Sequence, residues 1–345
     1  MLFMGGNLFK NAKRHDHDAF IRKQKAVINI LSELNIDVRP IPHLSRKDSH
    51  GDLDLILNKD TFTIDDLYHI ASLYPYAING KHVNIHQLPS DTFQDYFDKI
   101  DNLSFLYHDL QVDLIFIEEE SVDFAIKYHS YNDLGGIIGC ITKQLGYTLG
   151  REGLFTEIVP IDGYGKYKIY FTKDFKKFCE VFELDDSIYY GGNTLGDVHE
   201  MFEYLKQWKY FNSHWMNPEL MNSTRRNRAA KRKVFNQITK LCDSEGAVFN
   251  WKHEPPNLEH HFDADDLNDQ RENVYKLAKL DEDKKKSMSL ERMVKVLGYE
   301  PENRSHIFMK LSEQYGGPVT ARENTYKMTD EQFKNELLII MGGLK

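Results

Sequence analysis

Two aspartates on alternate residues, Asp52 and Asp54, stand at the mouth of the apolar run in KDSHGDLDLIL (residues 47–57), directly after Gly51. Alternate residues of a strand face the same side. The pair therefore projects together, about 7 Å apart at the backbone by strand rise. Acids are poor strand formers, and a buried carboxylate must be paired or bound to a cation. Mg²⁺ answers that need, because it is small, hard and held by one or two carboxylates together with substrate phosphates. A second strand-like run, QVDLIFIE (111–118), adds Asp113 among apolar neighbours. Three acids on two neighbouring strands could hold two cations roughly 3.5–4 Å apart, a clamp for the attacking and leaving oxygens of phosphoryl transfer. A single acid of this kind reads as a solvated strand-entry residue; the repetition is what points to metal.

SHGDLDLIL resembles the metal-binding strand of the DNA polymerase β-like nucleotidyltransferases, and VDLIFI resembles the strand bearing that family's third catalytic aspartate. The resemblance covers the first third of the chain. It implies an α/β (α+β) fold, a mixed sheet flanked by helices. It implies that Asp52, Asp54 and Asp113 bind Mg²⁺ or Mn²⁺, and that Asp113 helps to activate an acceptor hydroxyl. The implied reaction moves NMP from an NTP to that hydroxyl, on a nucleic-acid end, a protein or a small molecule, and releases pyrophosphate. MGGNLF, YNDLGGIIG, EGLF and FEYLKQWKYFN are also similar to stretches of uncharacterised phage, bacterial and fungal proteins of that superfamily.

The family's glycine-rich turn, which cradles the triphosphate at a helix N-terminus, is missing from its usual place shortly before the paired acids. Gly5 and Gly6 are one substitute, since consecutive glycines can form an anion-binding nest. HLSRKDSHG (43–51) is another, with Ser45, Arg46, Lys47 and Ser49 as donors. After the third acid strand, Asn132 in YNDLGGIIG caps a helix whose N-terminus could face the nucleotide, with Asn132 or Tyr131 on sugar or base.

TRRNRAAKRK (224–233) concentrates positive charge. On a helix Arg225, Arg228 and Arg232 share one face, and with Arg226 they suit a triphosphate tail or a nucleic-acid backbone. A solvated helix face is the competing account. Trp208, Tyr210, Phe211 and Trp215, just before it, suit packing better than base stacking. His253, His260 and His261 sit among acids in a stretch (251–270) expected to be a long exposed connection, and DEDKKK (281–286) reads as a surface turn.

The elements that must position these groups follow from periodicity. A helix is expected over 18–34, from Phe20, Val27, Ile28, Leu31 and Leu34. Strands are expected over 52–57, 81–88, 103–109, 111–118 and 165–172. Further helices are expected over 63–74, with Thr63 and Asp66 at capping-box spacing, and from Thr194 and Asp197 onward. A last helix covers 329–341, with Thr329 and Gln332 at the same spacing. The chain of 345 residues suits two domains: an α/β domain over 1–190 and a mainly helical one over 191–345.

A hydrophobic share of 41% supports a real core, and a net charge of −9 argues against a chain that coats nucleic acid over its whole surface. Three cysteines without a CxxC pair suit neither a zinc cluster nor a disulfide framework. No window is long and apolar enough for a membrane span, so a soluble cytoplasmic protein is expected. The sequence thus favours a two-metal nucleotidyltransferase. A catalytically silent scaffold that binds nucleic acid or an assembly, and a metal-dependent phosphohydrolase, stand as alternatives.

Overall fold

The computed structural model describes residues 8–85, 94, 96–158, 167–217, 219, 221, 223–245 and 254–342. Gly5, Gly6, His253 and the side chains of Arg225 and Arg228 lie outside the described residues. Backbone packing groups the chain into two compact units, Met1–Thr156 with Tyr170–Phe262, and Glu157–Ile169 with Asp263–Lys345. These units and the division expected near residue 190 cut the chain differently. The stretch 191–262 falls in the first unit because its apolar face, including Met201, Phe202, Leu205, Trp208 and Ile238, shares one core with Phe124, Leu134, Ile138 and Phe178.

The chain is a mixed α/β protein. Its first unit is built on a five-stranded sheet of order β1-β2-β5-β4-β3. The strands are β1 (Arg39–Pro40), β2 (Asp52–Asn58), β3 (Tyr76–Ile78), β4 (Asn102–Tyr107) and β5 (Leu110–Ile117). β2 and β5 run parallel, and the other pairs are antiparallel. The alternation of side chains divides β2 and β5 between two cores. Leu53, Leu55 and Leu57, with Val112, Leu114 and Phe116, pack with Phe20, Val27 and Leu31 of helix α1 (His17–Glu33) and with Leu67 and Ile70 of helix α2 (Ile64–Leu73). Ile56, Ile115 and Ile117 meet Val122, Ala125 and Ile126 of helix α3 (Val122–His129) on the opposite face. Burying such aliphatic side chains contributes about 1.5–3 kcal/mol each relative to exposure.

Local signals set several ends. Asp16 caps α1 by accepting from the Ala19 amide at 2.8 Å, and Thr63 and Asp66 close the capping box of α2 reciprocally. Asp197 alone caps the helix Val198–Gln207, accepting from the His199 and Glu200 amides, so the expected pairing with Thr194 does not form. Residues 81–85 hold only a bridge between Lys81 and Ile78 where a strand was expected; the rest of that expectation, 86–88, lies outside the described residues. A smaller three-stranded sheet joins β6 (Thr148–Gly150), β7 (Gly153–Ile158) and β8 (Tyr167–Thr172).

The stretch of the second unit from Asp263 onward is helical among the described residues, with Met293, Ile307, Leu311, Phe333 and Leu337 at its centre. Its longest helix, Ala264–Ser287, absorbs both the end of the expected connection and the DEDKKK turn. Asp263 caps it, Asp265 and Asp266 sit at its positive end, and Lys284, Lys285 and Lys286 at its negative end. A run of charge therefore matches a helix dipole here rather than marking a turn. Thr329 and Gln332 exchange the expected hydrogen bonds before the helix Asp330–Gly342. Among the described residues, no helix is long and apolar enough to cross a membrane.

Candidate active site

The acids sit where two rows of side chains run out from under α3. Asp52 and Asp54 lie in the row of β2 that contains Ile56, and Asp113 lies in the row of β5 that continues in Ile115 and Ile117. Parallel pairing sets Asp54 opposite Asp113 and Asp52 opposite Gln111. Each of the three acids places a carboxylate oxygen within 4.8 Å of one on each of the others. Asp113 is 3% exposed, whereas Asp52 and Asp54 are half-buried.

Burial and mutual repulsion act together on this cluster. Loss of solvent, then the charges of Asp52 and Asp113, hold the Asp54 carboxyl well above its ordinary range. Desolvation pushes Asp113 up to about 7, with the charge of Asp52 adding and hydrogen bonds from Ser104 and Gln111 pulling the other way. Gln111 is a residue that sequence reasoning missed. Its fully buried amide nitrogen donates to both Asp113 oxygens at 3.1 Å, while its carbonyl oxygen accepts from the Leu8 amide at 3.0 Å. That second bond orients the amide. The available signal was its position two residues before Asp113 on the same strand face.

Of the expected phosphate donors, Lys47 is the one within electrostatic reach of the acids. Lys47 is half-buried, and its pKa is lowered by desolvation and by the charge of Arg14, while Asp52, Asp54 and Asp133 pull it back up. Arg46 turns away: Nη2 lies 2.6 Å from both Asp197 Oδ2 and Glu200 Oε1. The backbone follows, with the Ser45 and Arg46 amides donating to Leu195 and Gly196. Ser49 accepts from Arg14 at both its hydroxyl (3.0 Å) and its carbonyl (2.7 Å). Arg14 thus fixes the approach to Asp52 and is a second residue the sequence did not flag.

Beyond the third acid strand, Tyr131 and Asn132 both adopt left-handed backbone angles, φ 57° and 63°. The helix that follows, α4 (Leu134–Gln144), has Asp133 at its N-cap position, so Asn132 is not the cap but an exposed residue of the preceding turn. The turn is anchored by the Tyr131 amide, which donates to Pro42 at 2.8 Å, and by its hydroxyl, which donates to Ile188 at 2.8 Å. Gly135 lets α4 approach α3 closely, since a Cβ there would lie 1.9 Å from the Tyr128 carbonyl oxygen.

The basic segment lies partly in the helix Ser223–Ala229. Arg232, beyond that helix, pairs with Asp133 at 2.6 Å, and the other Asp133 oxygen accepts from the Phe235 amide at 3.2 Å. Arg226 is exposed, and its guanidinium donates to the Met221 carbonyl at 3.1 Å. Asp133 thus pairs with Arg232 and also acts electrostatically on Lys47. The aromatic residues before the segment serve the core, as Trp208, Tyr210 and Phe211 are buried. Comparison with protein-family models and with curated proteins finds no match for the chain.

Proposed function

We propose that this protein is a metal-dependent nucleotidyltransferase built on a nucleotidyltransferase-like sheet. One observation carries the reading: the parallel register of β2 and β5 gathers Asp52, Asp54 and Asp113 within 4.8 Å on one face, at the rim of an apolar core. Carboxylates held that close favour a divalent cation between them. The all-oxygen donor set suits Mg²⁺ or Mn²⁺. Asp52, Asp54 and Asp113 would hold the ions, which supply charge neutralisation at the phosphates.

The remaining residues act on position and charge. Gln111 holds Asp113 in place through its two hydrogen bonds, and Asp113 takes the proton of the acceptor hydroxyl. Lys47 places a cation beside the acids for the triphosphate. The acceptor oxygen attacks the α-phosphorus in line, forming the new phosphoester bond as the bond to the bridging oxygen breaks and pyrophosphate leaves. Arg226 and Arg232, with Arg225 and Arg228 of the same segment, would bind the tail or a nucleic-acid acceptor.

The test is incubation of the protein and Mg²⁺ with each α-labelled NTP and with RNA, DNA or cell extract. Label is expected to reach one acceptor class, and Asp54→Asn should prevent it while leaving the fold intact by circular dichroism. No transfer under any condition would overturn the reading. Release of phosphate from γ-labelled NTP, without incorporation of α-label, would assign the site to a phosphohydrolase instead.

A further inference from the structure

Beside the acids lies a second cluster of a different chemical kind. His17 opens α1, His43 begins the loop that leads to β2, and His50 stands two residues before Asp52. Each ring places a nitrogen within 4.8 Å of one on each of the other two. Nδ1 of His17 is 3.4 Å from Nε2 of His50. Two nitrogens bound at about 2.0–2.1 Å to one tetrahedral zinc stand about 3.3 Å apart. The spacing is that of one edge of a tetrahedral coordination shell.

The rings are held from outside, as metal-binding imidazoles are. Phe20 stacks on His50, with centroids 4.0 Å apart and planes 10° from parallel, and meets the His43 ring edge-on at 5.4 Å. The His15 and His50 backbones exchange two 2.8 Å hydrogen bonds, which bring the start of α1 to the entry of β2. His50 is 2% exposed.

The donor set selects the kind of ion against an unfavourable charge. Lys47 and Arg14 both act on His50, and the positive end of α1 lies at His17. A hard cation held by charge alone would be repelled here. Zinc, copper or nickel feel the same repulsion, but their coordinate bonds to three neutral imidazole nitrogens can offset it, and that donor set suits them. We propose that His17, His43 and His50 form a binding site for a first-row transition cation of the zinc class, separate from the carboxylates, with its fourth position open to water or a ligand.

Metal-free full-length protein would be titrated with Zn²⁺ against a chromophoric chelator, and separately with Co²⁺ while visible absorption is recorded. One tight Zn²⁺ per chain is expected, with the intense bands of tetrahedral Co²⁺. Binding should persist in the combined Asp52→Asn, Asp54→Asn and Asp113→Asn variant and in His260→Ala with His261→Ala. It should weaken in His17→Gln and in His43→Gln by at least the roughly 10–100-fold that loss of an outer partner costs. Circular dichroism of these two half-buried positions checks that the fold survives, and the wild-type cobalt spectrum is independent of any variant. Absence of tight binding, octahedral cobalt bands, or affinity that follows the aspartates rather than the histidines would overturn the proposal. None of these results depends on nucleotide transfer, so the two proposals fail separately.

Discussion

The aspartate cluster and the histidine cluster nearly touch in sequence, at His50 and Asp52, yet they are assembled by different means and respond to opposite conditions. Strand register builds the acids: once β2 pairs with β5, Asp54 and Asp113 have no choice but to face each other. The histidines come from a helix start, a loop and a strand entry, and the His15–His50 backbone bonds and packing against Phe20 bring them together. Burial favours the neutral form in both clusters, which pushes Asp54 and Asp113 up and His43 and His50 down. The acids thus gain from a cation that neutralises them, whereas His43 and His50 are already neutral and offer lone pairs. The contrast predicts hard ions at one cluster and borderline ions at the other.

The largest expected effect breaks one side of that comparison alone. Asp54→Asn or Asp113→Asn should lower Mg²⁺-dependent transfer by about 10³-fold or more, since the metal-bound charge supplies several kcal/mol. Zn²⁺ affinity at the histidines should be unchanged. A drop in both would mean that the clusters form one site.

Stability should move the other way. Asp113→Asn removes a buried charge, so in metal-free buffer at pH 8 the variant should be more stable than wild type, by roughly 1–4 kcal/mol on denaturant unfolding. Adding Mg²⁺ should raise the melting temperature of the wild type and narrow that gap. A less stable variant would show that Asp113 is paired internally rather than awaiting a cation.

The pH profile sharpens the contrast because the two clusters have opposite signs. The folded state keeps a proton on Asp113 up to about 7, where an unfolded Asp releases it near 3.8. Through that interval the folded state binds more protons, so this contribution falls as pH rises. His43 and His50 are lowered to about 4 and about 3, from an ordinary 6.5, by desolvation first and then by neighbouring positive groups. The unfolded state binds more protons there, so this contribution is complete above 6.5 and is lost as pH falls toward 4. Unfolding of the metal-free wild type should show the two partly cancelling between pH 4 and 6.5. Asp113→Asn should uncover a stability that rises with pH over that range, and His43→Gln should flatten it. The smallest effect belongs to Arg46→Ala. Its ion pairs to Asp197 and Glu200 are exposed, so melting should barely change, and any loss of transfer larger than the loss of Lys47→Met would reassign the phosphate contact.

The acid site was legible because strand chemistry is local. Period-two alternation identified β2 and β5 almost to the residue, and an acid interrupting an apolar strand needs a reason that few structures other than a cation supply. Caps were legible for the same reason, as at Thr63 and Thr329, where a side chain and an amide three residues apart either meet or do not. Charge runs were not. DEDKKK lies inside a helix because Leu267 and Val274, well upstream, bury its face, and no local rule weighs that against the charges. Arg46 read as a phosphate donor by type, but Asp197 and Glu200, some 150 positions away in the chain, hold it elsewhere.

What the sequence determined by itself is which residues alternate, which acids share a strand face and some of the caps, as at Thr63 and Thr329 but not at Asn132 or Thr194, since these depend on neighbours within a few positions. Tertiary structure decided the rest: that β2 and β5 pair in parallel with Asp54 opposite Asp113, that Gln111 and Lys47 flank the acids, that Arg232 answers Asp133, and that three distant histidines meet. Those outcomes depend on which apolar faces bury each other, a choice made by the whole chain at once.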